Sequence, residues 1–203
     1  VKIICIGRNY AEHAKELKND LPTEPVVFLK PDTALIPKKQ PFFIPDFSTE
    51  VHFETELVIK IDRVGKHIDP KFAHKYFSEV SLGIDFTARD LQQELKSKGL
   101  PWEKAKAFDG SAPVGSFIQK DALPSLDQLT FDLKVNGVQR QLGNTKDMIF
   151  SVNEIIAYVS KFFTLKIGDL IFTGTPAGVA KVEKNDTLEA SLEGHKVLQL
   201  QVK

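Results

Sequence analysis

The chain has 203 residues, and at roughly 100 to 200 residues per domain this length points to one domain spanning 1–203 around one core. Its 27 lysines and arginines equal its 27 aspartates and glutamates, so no net field draws a polyanion or an anionic bilayer, and neither nucleic acid nor membrane is expected as a partner. Hydrophobic residues at 42% supply enough apolar surface for a core and exclude a disordered chain.

Cys5 is the only cysteine, which rules out an intrachain disulfide and any cysteine cluster for zinc or iron and sulfur. A reducing compartment, and hence a cytoplasmic location, is the expectation. The longest apolar segments, near 155–163 and 170–173, are interrupted by Lys161, Lys166 and Asp169 and fall short of the roughly 20 apolar residues of a membrane span. No secretory signal is expected ahead of Gly7.

In chain order, residues 2–6 predict a strand closed by Gly7, and 10–18 a short helix ending near Asn19 and Asp20. Segments 26–29 and 34–36 read as brief extended runs between prolines. Across 51–61 the residues alternate: Phe53, Thr55, Leu57, Ile59 and Ile61 share one side, Glu54, Glu56, Val58 and Lys60 the other, which predicts one strand. A short helix over 70–76, a strand over 80–84, and a helix over 87–96 with Thr87 and Asp90 as a capping box follow. That places Asp85 between a strand and a helix. Beyond Asp109 the extended segments are 114–118, 130–135, 170–173 and 187–202, with one helix over 152–162 and a hairpin turn at Asn136 and Gly137. Many strands with few, irregularly placed helices predict an α+β fold rather than a doubly wound sheet.

Two glutamates at a spacing of two on a strand project their carboxylates from one face about 7 Å apart. Glu54 and Glu56 therefore form either a solvated strand face or, with Asp85 at a strand end, an all-oxygen site of the kind magnesium and manganese prefer. His13 and Glu16, three apart on a helix, are either an ordinary surface pair or an imidazole oriented as a base. Lys106 and Arg89 taken alone read as surface cations, and the Gly174 to Gly178 segment as a turn. No glycine pattern fits a dinucleotide or phosphate loop.

Taken together, GRNYAEHAKE, HFETEL, GIDFTARDLQ, PWEKAKAFDG and DLIFTGTPAGV, in this order along essentially the whole chain, resemble the fumarylacetoacetate hydrolase family, in particular its short members with acylpyruvate hydrolase and oxaloacetate decarboxylase activity. The resemblance implies Glu54, Glu56 and Asp85 as ligands of Mg2+ or Mn2+, and Lys106 as a cation beside the reacting oxygens. It implies Arg89, Gln92 and Thr175 as substrate contacts, and His13 with Glu16 as a water-activating pair on a mobile lid over 7–22. It further implies a mixed β-sheet roll with flanking helices and a homodimer acting on a small 2-oxo acid. The expected reaction is hydrolysis of the C–C bond of an acylpyruvate, or decarboxylation of oxaloacetate, through a pyruvate enolate held at the metal. The close alternative is isomerisation of a hydroxymuconate-type diacid such as 2-hydroxyhepta-2,4-diene-1,7-dioate. A non-catalytic metal-binding protein is the rival of a different class, but it would have no use for Lys106, Thr175 and the His13 pair.

Overall fold

A computed structural model describes residues 1–16 and 20–203. The chain begins with β1 (Ile3–Gly7), the short helix α1 (Ala11–Glu16) and β2 (Val26–Lys30), followed by β3 (Val51–Phe53), β4 (Thr55–Ile61) and β5 (Phe77–Ile84). Then come β6 (Thr87–Ala88), α2 (Arg89–Ser97), α3 (Glu103–Lys106), β7 (Ile118–Gln119), β8 (Thr130–Val135) and β9 (Val138–Asn144). The chain closes with α4 (Val152–Phe162), β10 (Leu170–Phe172), β11 (Ala180–Lys181), β12 (Thr187–Leu192) and β13 (His195–Gln201). The end of the first predicted helix, at 17–19, lies outside the described residues.

The strands form three sheets: a six-stranded one in the order β2-β1-β10-β4-β5-β7, a three-stranded one in the order β11-β3-β6, and a four-stranded one in the order β13-β12-β8-β9. Pairing is antiparallel except between β1 and β10. This is the expected α+β architecture. One apolar core joins the sheets, with Ile4, Leu57, Phe53, Leu133 and Leu188 in the same buried cluster. A second cluster on the other side of the six-stranded sheet holds Ile3, Cys5, Val58 and Phe172. Both faces of β4 are therefore buried, so the reading of Glu54 and Glu56 as a solvated face is wrong. Among the described residues no helix is long and apolar enough to cross a membrane.

Several expectations give way where distant partners compete with local pattern. The single strand over 51–61 is broken at Glu54, because β3 pairs with β6 and β11 whereas β4 pairs with β5 and β10. The chain turns from one sheet to another there, and Thr55 N donates to the side chain of Gln141 at 3.0 Å. Thr87 and Asp90 form no capping box. Thr87 lies in β6, opposite His52, and α2 begins only at Arg89, while Asp90 accepts from Ser48 Oγ at 2.7 Å and Thr49 N at 2.9 Å. Residues 34–36 are not extended strand, since a 3-10 turn occupies Asp32–Ala34 after Pro31. Of 114–118, only Ile118 falls in a strand, with Val114 making a lone bridge to Gly83. The extended stretch 187–202 is a hairpin that turns at Glu193 and Gly194, both with positive φ.

The elements whose signals are purely local match closely. Asn136 and Gly137 turn β8 into β9 with φ of 53° and 79°, as a tight hairpin requires. Helix α4 spans Val152–Phe162 and starts with a capping box between Ser151 and Glu154. Ser151→Ala removes this cap and is expected to lower stability by about 1 kcal/mol, measured as a shifted urea midpoint with unchanged slope. A change in slope instead would indicate that more than the helix end is altered.

Candidate active site

Antiparallel pairing of β4 with β5 sets Thr55 opposite Ile84, which brings the start of one strand beside the end of the other. Glu54, at the corner before β4, is tied to Asp85, just past β5, by a 2.8 Å bond from Asp85 N to Glu54 O. Glu56 follows two residues along. The result is a cluster in which one carboxylate oxygen from each of Glu54, Glu56 and Asp85 lies within 4.8 Å of the others, with all three residues buried.

Three cations surround the cluster. Lys106 Nζ, carried by α3, donates to Glu54 Oε2 at 2.8 Å, Asp85 Oδ2 at 2.6 Å and Thr87 Oγ1 at 2.6 Å, so its three protons are committed. Arg89, the first residue of α2, binds Glu54 Oε1, donates to Gln92 Oε1 at 2.6 Å and reaches His52 Nδ1 at 3.5 Å. Lys30, the last residue of β2, sits 2.8 Å from Asp85 Oδ1 and donates to Lys106 O and Ser111 Oγ. Its position relative to Asp85 is near enough for charge attraction but off the line of a hydrogen bond, which leaves the buried Oδ1 without a donor.

Glu56 differs from its neighbours. Its Oε2 accepts from Gly174 N at 2.7 Å, and no cation ion-pairs with it among the described residues. Burial, then the adjacent Asp85 and Glu54 charges, push its carboxyl well above the usual carboxylate range. Burial alone would raise Glu54 too, but Lys106, followed by Arg89 and His13, more than offsets it and holds that carboxyl low. For Lys106, burial would favour the neutral amine, and Asp85 and Glu54 reverse this, raising it above the ordinary lysine value. Asp85 Oδ1, which has no donor, and the Glu56 carboxylate, which has no ion-pair partner among the described residues, thus belong to a buried all-oxygen donor set, which fits a hard divalent cation.

The cluster forms the floor of a small pocket of about 100 Å3 that is lined also by His13, Arg89, Gln92, Lys106 and Thr175. Of the nine residues singled out in the sequence, eight line this pocket, and the ninth, Glu16, touches it through His13: His13 Nδ1 lies 3.3 Å from Glu16 Oε2. Glu16 is itself pinned by Gly178 N at 3.2 Å. Arg89 and Lys106 are not the surface cations their types alone suggested; both are buried. Gly174 has φ of 99°, and a Cβ there would come within 2.7 Å of Asn9 Cβ, so the turn before Thr175 requires glycine.

Two residues, Lys30 and Gln141, escaped the sequence reading, and a third, Asn9, stood in GRNYAEHAKE without a role. Lys30 ends an apolar strand, a lysine in such a run being the one available signal. Gln141 donates to Thr175 Oγ1 at 2.8 Å and to Pro176 O at 3.0 Å, but in a strand that reads VQRQLGN nothing distinguishes it from its polar neighbours. Asn9 is fully buried and joins Thr173 O, Phe150 O and Phe150 N through its amide, fastening the β1 end to the Gly174 turn.

Comparison with known proteins agrees along the whole chain. The family model described as fumarylacetoacetate (FAA) hydrolase C-terminal matches residues 2–203. The mitochondrial oxaloacetate tautomerase of Mus musculus is 46% identical over 201 residues, covering 99% of this chain and 91% of that protein. The mitochondrial oxaloacetate decarboxylase of Dictyostelium discoideum is 43% identical over 194 residues, 95% of this chain and 89% of that protein. Among solved structures, a fumarylpyruvate hydrolase from Pseudomonas aeruginosa in complex with Mn2+ and pyruvate superposes with a TM-score of 0.94 at 36% identity, covering 100% of this chain and 89% of that one.

Proposed function

This chain belongs to the fumarylacetoacetate hydrolase family, and from that premise we propose that it is a divalent-metal-dependent enzyme of 2-oxo acids that hydrolyses the C–C bond of acylpyruvates or decarboxylates oxaloacetate. The observation that carries this reading is the buried Glu54, Glu56 and Asp85 cluster with Lys106 donating into it, at the floor of a pocket that also holds His13. We assign the three carboxylates as ligands of Mg2+ or Mn2+. Such a cation supplies Lewis-acid charge that polarises a 2-oxo carbonyl and lowers the energy of its enolate.

The chain's own residues do the rest. Lys106 Nζ, buried and kept protonated by Asp85 and Glu54, places fixed positive charge where the enolate oxygen develops. Gln141 holds the Thr175 hydroxyl in place, and Gln92, bonded to Arg89 through its oxygen, keeps its amide protons for a substrate carboxylate. In an acylpyruvate, water gives a proton to His13 Nε2 as its oxygen bonds to the distal carbonyl carbon. The bond from that carbon to C3 then breaks, its electron pair passes to the 2-oxo carbonyl, and protonation at C3 gives pyruvate beside a carboxylic acid. Glu16 steadies the imidazole from Nδ1. In oxaloacetate, loss of carbon dioxide from C3 yields the same enolate with no water needed.

Keto–enol tautomerisation of oxaloacetate, the activity in the name of the Mus musculus relative, moves a proton between C3 and the 2-oxo oxygen through the enolate of oxaloacetate itself, which keeps its C4 carboxylate, and suits the same residues. It was not foreseen from the sequence. Isomerisation of a hydroxymuconate-type diacid is less favoured, because the relatives described above are named for oxaloacetate tautomerisation, oxaloacetate decarboxylation and fumarylpyruvate hydrolysis. We further propose that residues 7–22, of which 17–19 lie outside the described residues, act as a lid over the pocket that swings beyond the anchored Asn9, that 1–203 is one catalytic unit, and that two copies form a homodimer. The family membership and the place of His13 on α1 support the lid. Exhaustive chelation is expected to abolish turnover of both acetylpyruvate and oxaloacetate, with recovery on adding Mg2+ or Mn2+, measured as pyruvate produced above the rate with metal alone. Full turnover by the metal-free protein would refute the reading.

A further inference from the structure

Six described non-glycine residues have φ in the left-handed region, Arg8, Lys39, His67, Asn136, Asn185 and Glu193, and of these only Arg8, at 59°, lines the pocket. An arginine has no local reason to adopt that conformation, which favours glycine and asparagine. The fold imposes it from both sides. Before Arg8, β1 is held between β2 and β10; after it, buried Asn9 is fastened to Thr173 and Phe150. Backbone strain held in place by its surroundings at a pocket is a sign of use.

The other cations at the floor are already committed. Lys106 donates to three partners, Arg89 to Glu54 and Gln92, and Lys30 to Lys106 O and Ser111, whereas the half-buried Arg8 side chain makes no hydrogen bond or ion pair among the described residues. Lys96 also lines the pocket, but from an exposed position on the last turn of α2 and on an unstrained helical backbone. Charge points the same way. Lys30, Arg89 and Lys106 balance Glu54, Glu56 and Asp85, so a bound divalent cation leaves the pocket positive by two before Arg8 is counted. Arg8 raises that excess to three, so each further carboxylate on the substrate is favoured and a dicarboxylate is held better than a substrate with one.

We infer that Arg8 receives the second, distal carboxylate of the substrate, so that the pocket selects dicarboxylic 2-oxo acids over those with one carboxylate. This rests on the 2-oxo acid reading above. The guanidinium fork matches a carboxylate in two parallel bonds, and its strained backbone keeps the side chain at the pocket instead of on the outer surface.

The test compares fumarylpyruvate with acetylpyruvate, which undergo the same cleavage, the first carrying on a vinylene arm the distal carboxylate that the second lacks. In Arg8→Gly, where glycine adopts the backbone freely, the ratio of kcat/KM for fumarylpyruvate to that for acetylpyruvate is expected to fall by on the order of 10- to 100-fold, the range of a charge-assisted hydrogen bond. Arg8→Lys is expected to retain part of the preference. Thermal unfolding of the glycine variant should be no earlier than wild type. A parallel arm measures calorimetric binding of 2-oxoglutarate against 2-oxobutyrate to the manganese-loaded protein, where wild type should prefer the diacid and Arg8→Gly should not. An unchanged ratio in the variant, whether both substrates suffer or neither does, overturns the role of Arg8 and leaves the 2-oxo acid reading intact. Wild type that neither cleaves nor binds any of these acids overturns both. Diacid-selective binding that depends on Arg8, without cleavage, sustains the inference and rejects only the hydrolytic reaction.

Discussion

Glu56→Gln is expected to abolish metal binding and turnover while leaving the metal-free protein as stable as wild type or more so. The reasoning starts from its surroundings: among the described residues Glu56 has Gly174 N as its donor and no ion-pair partner, and burial with Asp85 and Glu54 disfavours its charge. A neutral amide of the same shape keeps an acceptor for Gly174 N, and removes a carboxylate that the empty site disfavours. The bond that matters is then the one to the cation. Removing groups behind a metal ligand commonly costs 10- to 100-fold in affinity, so loss of the ligand itself should exceed about a hundredfold. Calorimetry with Mn2+ and denaturant unfolding of the chelated protein read the two effects separately. A variant that unfolds early but binds metal normally would show Glu56 to be a structural residue. Asp85 is the less clean choice, because its removal leaves Lys30 and Lys106 buried with a partner missing, and an uncompensated buried charge destabilises by several kcal/mol on its own account.

The second large effect separates the reactions. His13→Ala is expected to lower acylpyruvate hydrolysis by on the order of 100- to 10,000-fold, the contribution of a positioned base, while decarboxylation of oxaloacetate falls far less. Hydrolysis needs a proton taken from water at the distal carbonyl, and His13, nearly buried and aligned by Glu16 at 3.3 Å, lines the pocket where that water would stand. Decarboxylation asks only that the enolate be held, which falls to Lys106 and the cation site. Glu16→Ala should follow the same pattern more mildly, since Glu16 orients the ring and is itself anchored by Gly178 N. The measurement is the ratio of the two rates at saturating metal. Equal losses in both reactions would mean that His13 acts in closing the pocket or binding substrate rather than as a base.

How far the sequence could be read depended on the distance over which each contact acts. Chain order placed Asp85 at a strand end, and period two placed Glu54 and Glu56 together on one side, although Glu54 lies at the break before β4 and only Glu56 within a strand. What spacing could not say was whether that side faced solvent, and only resemblance chose the buried alternative. The Asn136 and Gly137 turn and the bounds of the helix over 152–162 rest on local signals and match in position, whereas the Ser151 and Glu154 cap, equally local, was not read. Thr87 and Asp90 carry an equally good local pattern, yet Lys106 claims the hydroxyl of one and Ser48 the carboxylate of the other, so tertiary partners override the cap. Lys30 meets Ser111 across 81 residues and Gln141 meets Thr55 across 86; no window along the chain contains both ends of such a contact. The left-handed backbone of Arg8 is likewise invisible in GRNY, because it is imposed by the anchoring of its neighbours.

The proposed hydrolysis and decarboxylation share one step, protonation at C3 of a pyruvate enolate stabilised beside Glu54, Glu56, Asp85 and Lys106, and its reverse is loss of a C3 proton from pyruvate. Proton magnetic resonance of pyruvate in deuterium oxide follows that step without reference to any leaving group. With Mg2+ or Mn2+ present, the protein is expected to exchange the C3 protons of pyruvate faster than the metal alone, and chelation or Glu56→Gln should remove the excess. Pyruvate that stays unlabelled while the same protein cleaves an acylpyruvate would contradict a common enolate.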